Sequence, residues 1–283
     1  TKELVDKVRY YLAHPDERKA IAKAGYEHVL ANHTYIHRFT DIFTRMGFSL
    51  PSVEQVLQKN VQSGTTRDIT ITVDAPLVSV VTSVYNGARF LRATLDSILA
   101  QNFHDWEFVI IDDGSTDETP QIIAEYAARD SRIVTKRLEH AGKVTGFNTG
   151  FAMARGEYIA VTGADDISLP HRLSAELNFL SEHPDIAAVG SWVDLIDAEG
   201  KVFGILKHPF HAALLRWLLF FRNPMAACST MFRRSCGAEL GWYRETGSED
   251  HDFLSRLCDR YDLANIQSVL AQYRIWQGNF TSL

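Results

Sequence analysis

Two acidic clusters stand where strands should end. Trp106-Glu-Phe-Val-Ile-Ile runs into Asp112-Asp113-Gly114-Ser115-Thr116-Asp117, and Glu157-Tyr-Ile-Ala-Val-Thr-Gly-Ala runs into Asp165-Asp166. In each, an apolar run of strand length drives into paired carboxylates where the chain must leave a sheet. Carboxylates so placed can hold a divalent cation or hydrogen-bond a nucleotide. A third pair, Glu249-Asp250, opens an apolar helical segment, where the positive end of the helix dipole favours anions. The plain alternatives are turn formation for Asp112 and Asp113, and helix capping for Asp165, Asp166 and Asp250.

Such residues need a sheet to position them. From Leu77 onward strand and helix patterns alternate: strands at 77–84, 106–112, 133–138 and 158–162, helices at 88–100, 119–128 and 144–154. Continuous Val/Ile runs between helices indicate an α/β fold with a parallel sheet covered on both faces, and ligands bind at the carboxyl ends of such strands. A helix after Pro170 to about 182 follows, then a hairpin of 186–196 and 202–206 turning at Glu199-Gly200. A hydrophobic helix at 212–221, a strand at 229–233, a helix at 249–260 and a last strand at 268–274 complete the pattern. Upstream, apolar spacing predicts short helices within 1–48, and the polar stretch 49–75 reads as a linker closed by Pro76. The expected organisation is a helical extension (1–48), a linker (49–75) and an α/β domain (76–283).

With 283 residues, 46% hydrophobic and 23% charged, the composition is that of a globular protein. A formal net charge of −6 argues against a nucleic-acid binder, which needs a basic face. Cys228, Cys236 and Cys258 form no Cys-x-x-Cys pair and read as reduced thiols of a cytoplasmic protein. No signal peptide is evident. The most apolar stretch, 212–221, is interrupted by Arg216 and is too short to span a bilayer. It reads as a half-buried helix, with contact at the inner membrane surface as the alternative. The chain begins with Thr, which suggests a piece of a longer polypeptide with other domains.

Val78-Ser-Val-Val-Thr-Ser-Val-Tyr85-Asn86, Leu91, Ser97, Gln101 and Asp112-Asp113-Gly-Ser-Thr-Asp117 together resemble the inverting family 2 glycosyltransferases of GT-A fold. Asn148-x-Gly150, Gly156-Glu157-Tyr158-Ile159, Asp165-Asp166, Leu169-Pro170-x-Arg172-Leu173, Glu249-Asp250 and Tyr273-Arg274 extend the resemblance, in the family's order, over about 76–276. It implies a Rossmann-like, mostly parallel sheet and transfer of a sugar from a nucleotide-sugar donor, UDP-linked by preference, to a carbohydrate or glycoconjugate hydroxyl in bacterial polysaccharide synthesis. By the same resemblance Asp113 contacts the base, with the Thr82–Tyr85 strand end as the opposite wall. Asp166 is the expected ligand of Mn²⁺ or Mg²⁺, Asp165 the ribose or shared-shell contact. Asp250 is the expected general base, with Glu249 second. Lys143 is a phosphate or sugar candidate, Asn148 a loop tie or sugar contact, and Trp242 with Tyr243 an acceptor platform.

This chain departs from the family twice. Gly163 stands where many relatives carry another Asp, and Trp276 where relatives often carry a His able to complete a metal shell; His208 and His251 are the conceivable substitutes. These departures motivate an alternative, a catalytically silent sugar-nucleotide-binding or scaffold domain. A nucleotidyltransferase is disfavoured, because Tyr85-Asn86-Gly87-Ala88-Arg89 is not a Gly-rich basic loop. More loosely, Tyr10-Tyr11-Leu12-x-His14-Pro15 and His33-Thr34-Tyr35 resemble the closing helices of a GT-B glycosyltransferase.

Overall fold

The computed structural model describes residues 75–277. The chain divides into two units, Thr1–Thr70 and Ile71–Leu283. The expected helical extension, and the linker up to residue 74, lie outside the described residues.

Strand β1 (Val78–Val84) sends Val78, Val80 and Val84 into one apolar cluster and Val81 into another. Strand β2 (Trp106–Asp112) does the same with Phe108 and Ile110 against Val109 and Ile111. Both faces are dry, which is why these strands read as unbroken apolar runs. Helices α1 (Ala88–Leu99), α2 (Thr119–Arg129) and α4 (Arg172–Glu182) cover the first face. The second is covered by α3 (Lys143–Met153), α5 (Ala212–Leu218) and α7 (Glu249–Cys258). Helix α3 lies directly on the sheet because two of its positions lack a Cβ. An added carbon at Gly150 would fall 2.5 Å from Val81 Cγ1, and one at Gly146 would collide with Ser83 Oγ.

The remaining strands are β3 (Ile133–Arg137), β4 (Tyr158–Val161), β5 (Ile167–Ser168), β6 (Ile186–Ile196), β7 (Val202–Leu206), β8 (Met231–Arg233) and β9 (Asp262–Arg274). They form one sheet in the order β3-β2-β1-β4-β8-β6-β9-β5, with β7 paired to β6. The β3-β2-β1-β4 block and the long β6–β9 ladder are parallel. Strand β8 enters antiparallel between them, and β5 and β7 add short antiparallel edges. The sheet is thus mostly parallel, as expected, with a mixed far half. Strand β9 starts six residues before the expected 268, β5 and helix α6 (Arg234–Leu240) were not anticipated, and the turn Ala227–Ser229 delays β8.

Two polar residues anchor the frame. Arg172 is fully buried and donates to Glu176 Oε1 at 2.9 Å, Ser168 Oγ at 3.0 Å and the Val161 carbonyl at 2.8 Å. Asn265 on β9, also fully buried, donates to the carbonyls of Pro209 at 2.8 Å and Pro224 at 3.1 Å. The segment between those prolines leaves and returns through one side chain. Within it α5 turns Leu215 and Leu219 inward, the half-buried helix that its pattern predicts.

Candidate active site

At the β2 exit, Asp112 Oδ1 accepts the Ser115 N–H at 2.9 Å and closes the turn. Asp113 is 2% exposed. Its Oδ1 accepts the Ala141 N–H at 2.8 Å, and its Oδ2 the Gly142 N–H at 2.9 Å. His140 Nδ1 also lies 2.9 Å from Oδ2. Asp113 therefore holds the loop that leads into α3. Above it the rings of Tyr85 and His140 stack at 4.0 Å, and Tyr85 is 47% exposed. Thr82 does not join this wall: it is fully buried and its hydroxyl has no hydrogen-bond partner. Strand alternation turns Ser83, not Thr82, toward α3, and Tyr85 supplies the exposed surface.

At the β4 exit the two acids differ. Asp166 is buried; its Oδ1 accepts the Arg274 N–H at 2.9 Å, and its own carbonyl accepts Thr94 Oγ1 at 2.8 Å. Burial, and then the neighbouring Asp165 charge, lift its carboxyl to about 7. Asp165 is more open and accepts Trp276 Nε1–H on Oδ2 at 2.9 Å. Asp166 is thus tied inward, and Asp165 is the carboxylate nearer solvent. Gly163 has a reason of its own, since an added Cβ would collide with Asp166 Oδ2 and lie 3.2 Å from Asp165 Oδ1. Trp276 stands as a donor to Asp165, edge-on to Phe90 at 5.1 Å. Neither His substitutes for a metal-shell ligand: His251 Nε2 lies 2.7 Å from the Leu219 carbonyl, and His208 is buried with both ring nitrogens unpartnered. Burial, with Arg222 nearby, lowers the His208 pKa to about 4. Among the described residues no three His, Cys, Asp or Glu side chains converge as a metal cluster.

The α7 start carries the third pair. Glu249 is buried and pairs with Lys143 Nζ at 2.6 Å. Burial raises its pKa, but the Lys143 bond, its own backbone N–H and the Lys143 charge outweigh that, and the net shift is downward. Asp250 is half-buried; its Oδ2 accepts Asn223 Nδ2 at 2.9 Å and its Oδ1 the His251 N–H at 2.9 Å. It lines a small, water-sized pocket with Ala227, Thr230, Phe232, Tyr243, Phe253 and Leu254. Trp242 and Tyr243 are not an exposed acceptor platform. Tyr243 is 8% exposed against Phe147, Phe151 and Phe253, and Trp242 packs on Phe151 and Gly237. Asn148 explains that placement: its amide exchanges two 2.9 Å hydrogen bonds with the Tyr243 backbone, a loop tie. The guanidiniums of Arg233 and Arg234 donate to backbone carbonyls, and that of Arg233 also to the Tyr158 hydroxyl.

Short links join the three acidic positions. Asp113 binds Gly142, the next residue Lys143 binds Glu249, and Asp250 follows. On the other side Ala227 lines the Asp250 pocket while its neighbour Cys228 lies against Asp166. Asn223, Ser83, His140 and Trp276 complete the site, and the first three carry no local sequence signal that marks them.

Comparison with known proteins identifies the family and the fold. Residues 79–240 match the model of glycosyl transferase family 2, and residues 1–44 match a second model described as glycosyl transferase-like. An uncharacterized glycosyltransferase of Methanocaldococcus jannaschii, MJ1057, is 32% identical over 208 residues, covering 71% of this chain and 72% of its own. The O-antigen biosynthesis glycosyltransferase WbnJ of Escherichia coli is 29% identical, over 70% of this chain and 80% of its own. Among solved structures, S. aureus TarS 1–349 in complex with UDP-GlcNAc superposes with a TM-score of 0.61 at 20% identity, over 72% of this chain and 60% of that one. The mannosyltransferase PcManGT of Pyrobaculum calidifontis, in complex with GDP-Man and Mn²⁺, gives 0.57 at 19% identity, over 80% and 64%. The chain belongs to the family 2 glycosyltransferases, and its fold is GT-A.

Proposed function

We propose that the protein is an inverting glycosyltransferase that moves a sugar from a nucleotide-linked donor to a hydroxyl acceptor in polysaccharide or glycoconjugate assembly. The observation that carries this reading is Asp250, a half-buried carboxylate held on both oxygens at a helix start and lining a small pocket. In this reading Asp250 takes the proton of the acceptor hydroxyl, whose oxygen attacks the anomeric carbon as its bond to the diphosphate oxygen breaks. Asn223 orients that carboxylate, and the Lys143–Glu249 pair fixes the turn that presents it. The Tyr85 ring offers a stacking face for the base. A base N–H reaches Asp113 by replacing Gly142 or His140 as its donor. A UDP-linked sugar is the preferred donor, supported by the UDP-GlcNAc complex of TarS, and the O-antigen role of WbnJ supports polysaccharide synthesis.

A divalent cation such as Mn²⁺ or Mg²⁺ fits the β4 exit. Mg²⁺ sites are commonly built from one or two carboxylates with water and substrate phosphate oxygens, and Asp165 backed by Asp166 meets that donor set. The adjacent like charges at that exit are also relieved by a cation. Bound there, it would neutralise charge on the departing diphosphate. The test is release of nucleoside diphosphate from a panel of nucleotide sugars with Mn²⁺ and an added acceptor. Asp250→Asn should abolish most of the release, and undiminished turnover in that variant overturns the assignment of the base. A second reading, a silent sugar-nucleotide-binding domain, is favoured by Trp276 occupying one oxygen of Asp165. It predicts nucleotide-dependent thermal stabilisation without product.

A further inference from the structure

Between Gly200 and Asn223 the chain carries Lys201, Lys207, Arg216 and Arg222 and no Asp or Glu, in a protein of formal net charge −6. Of the exposed large apolar side chains among the described residues, all but Tyr85 fall in this same stretch. The most prominent are Phe220 at 80% and Phe221 at 68% exposure, beside Trp217 at 36%. These rings stand on an ordered backbone. The Phe220 N–H donates to the Trp217 carbonyl at 3.2 Å and the Phe221 N–H to the Leu218 carbonyl at 2.8 Å. The Trp217 and Phe221 rings lie 4.9 Å apart. Beneath them Leu215 and Leu219 anchor α5 in the core, and Asn265 clamps the neck of the segment.

We propose that this excursion is a docking surface for the anionic face of a lipid bilayer. Exposed Phe and Trp rings gain by entering the region between headgroups and acyl chains, and Arg and Lys beside them meet lipid phosphates. The lack of acidic residues removes the repulsion that most of this protein's surface would offer. Self-association fits less well, because a two-fold contact would set the same cations against one another. Arg216 also lies 3.5 Å from Asp262, and both are half-exposed, which leaves Arg222 as the cation adjoining the two phenylalanines. No helix among the described residues is long and apolar enough to cross a membrane, so the contact is with the surface. Asn223, next in the chain, bonds Asp250, so docking would present the base to an acceptor borne by the bilayer. That last consequence rests on the function proposed above, whereas docking itself does not.

The test is co-sedimentation of the whole 283-residue chain with vesicles of phosphatidylglycerol and phosphatidylcholine in equal parts, and of phosphatidylcholine alone. The protein should partition onto the mixed vesicles, less so at high salt. Phe220→Ser with Phe221→Ser should reduce that partitioning at least about tenfold. Arg222→Gln should erode the preference for anionic over neutral vesicles. A parent protein that stays in solution, or a double variant that binds as the parent does, overturns the proposal. So does a parent that dimerises by sedimentation equilibrium through these phenylalanines while leaving the vesicles bare.

Discussion

Asp166 and Glu249 are both buried carboxylates beside a more open acid, and opposite means stabilise them. Glu249 has a cation at 2.6 Å, and its pKa falls. Asp166 has a backbone N–H at 2.9 Å and a like charge next door, and its pKa rises to about 7. In each pair one acid is buried and the other, Asp165 or Asp250, is more open. Glu249 of the α7 pair has a direct cation partner, whereas at Asp166 the more distant Arg172 and Arg274 only partly offset burial and the Asp165 charge. That contrast matches the two roles proposed above, proton acceptance beside Glu249 and cation binding beside Asp166.

The largest effect should come from Asp250→Asn, which removes the proposed proton acceptor with little change of shape. Turnover should fall by about 10²–10⁴-fold while the melting temperature stays near that of the parent, read by diphosphate release and thermal unfolding. Asp166→Ala should act through the fold instead. It leaves the buried Arg274 N–H unpaired and should cost about 1–3 kcal/mol in urea unfolding. An equal loss of stability in Asp165→Ala would erase the distinction drawn within that pair. Asn223→Ala should leave Asp250 in place but less well oriented, with roughly ten- to a hundredfold lower kcat and a smaller change in KM.

The smallest effect concerns Lys143→Met, which should destabilise by about 1–2 kcal/mol at neutral pH, the half-exposed ammonium being partly screened. Its pH dependence has a definite sign. A carboxyl whose folded pKa is lowered adds stability above its ordinary value of 4.5, and that stability is lost as the pH falls through the folded pKa. The parent should therefore lose stability on acidification below pH 4.5 more steeply than Lys143→Met does. Parallel slopes in urea titrations would detach Lys143 from Glu249.

Much of this architecture was legible from local pattern. Strands β1, β2 and β4 announce themselves because both faces are dry, and Val, Ile and Phe then follow one another without polar interruption. The first half of β9 was not legible, because Asp262, Asn265 and Gln267 break the apolar run and Asn265 is buried for its hydrogen bonds. Strand β5 has only two residues, too few for any period. The acidic positions of the site were readable as strand-exit and helix-start carboxylates. Their orientation was not. Asp166 faces inward onto a backbone N–H 108 residues away, and Tyr243 is held against the core by a backbone tied to Asn148, 95 residues away. Thr82 misled because strand alternation, and not residue type, chooses which hydroxyl meets the next helix.

The Asn265 clasp on Pro209 and Pro224 has one more consequence. Because both ends of the intervening stretch close on a single buried amide, its exposed positions can vary without shifting the strands it departs from, while Leu215, Leu219 and Asn223 keep it seated. The exposed tip between those anchors, Phe220 and Phe221 above all, is therefore where surface chemistry can change while the mount stays fixed.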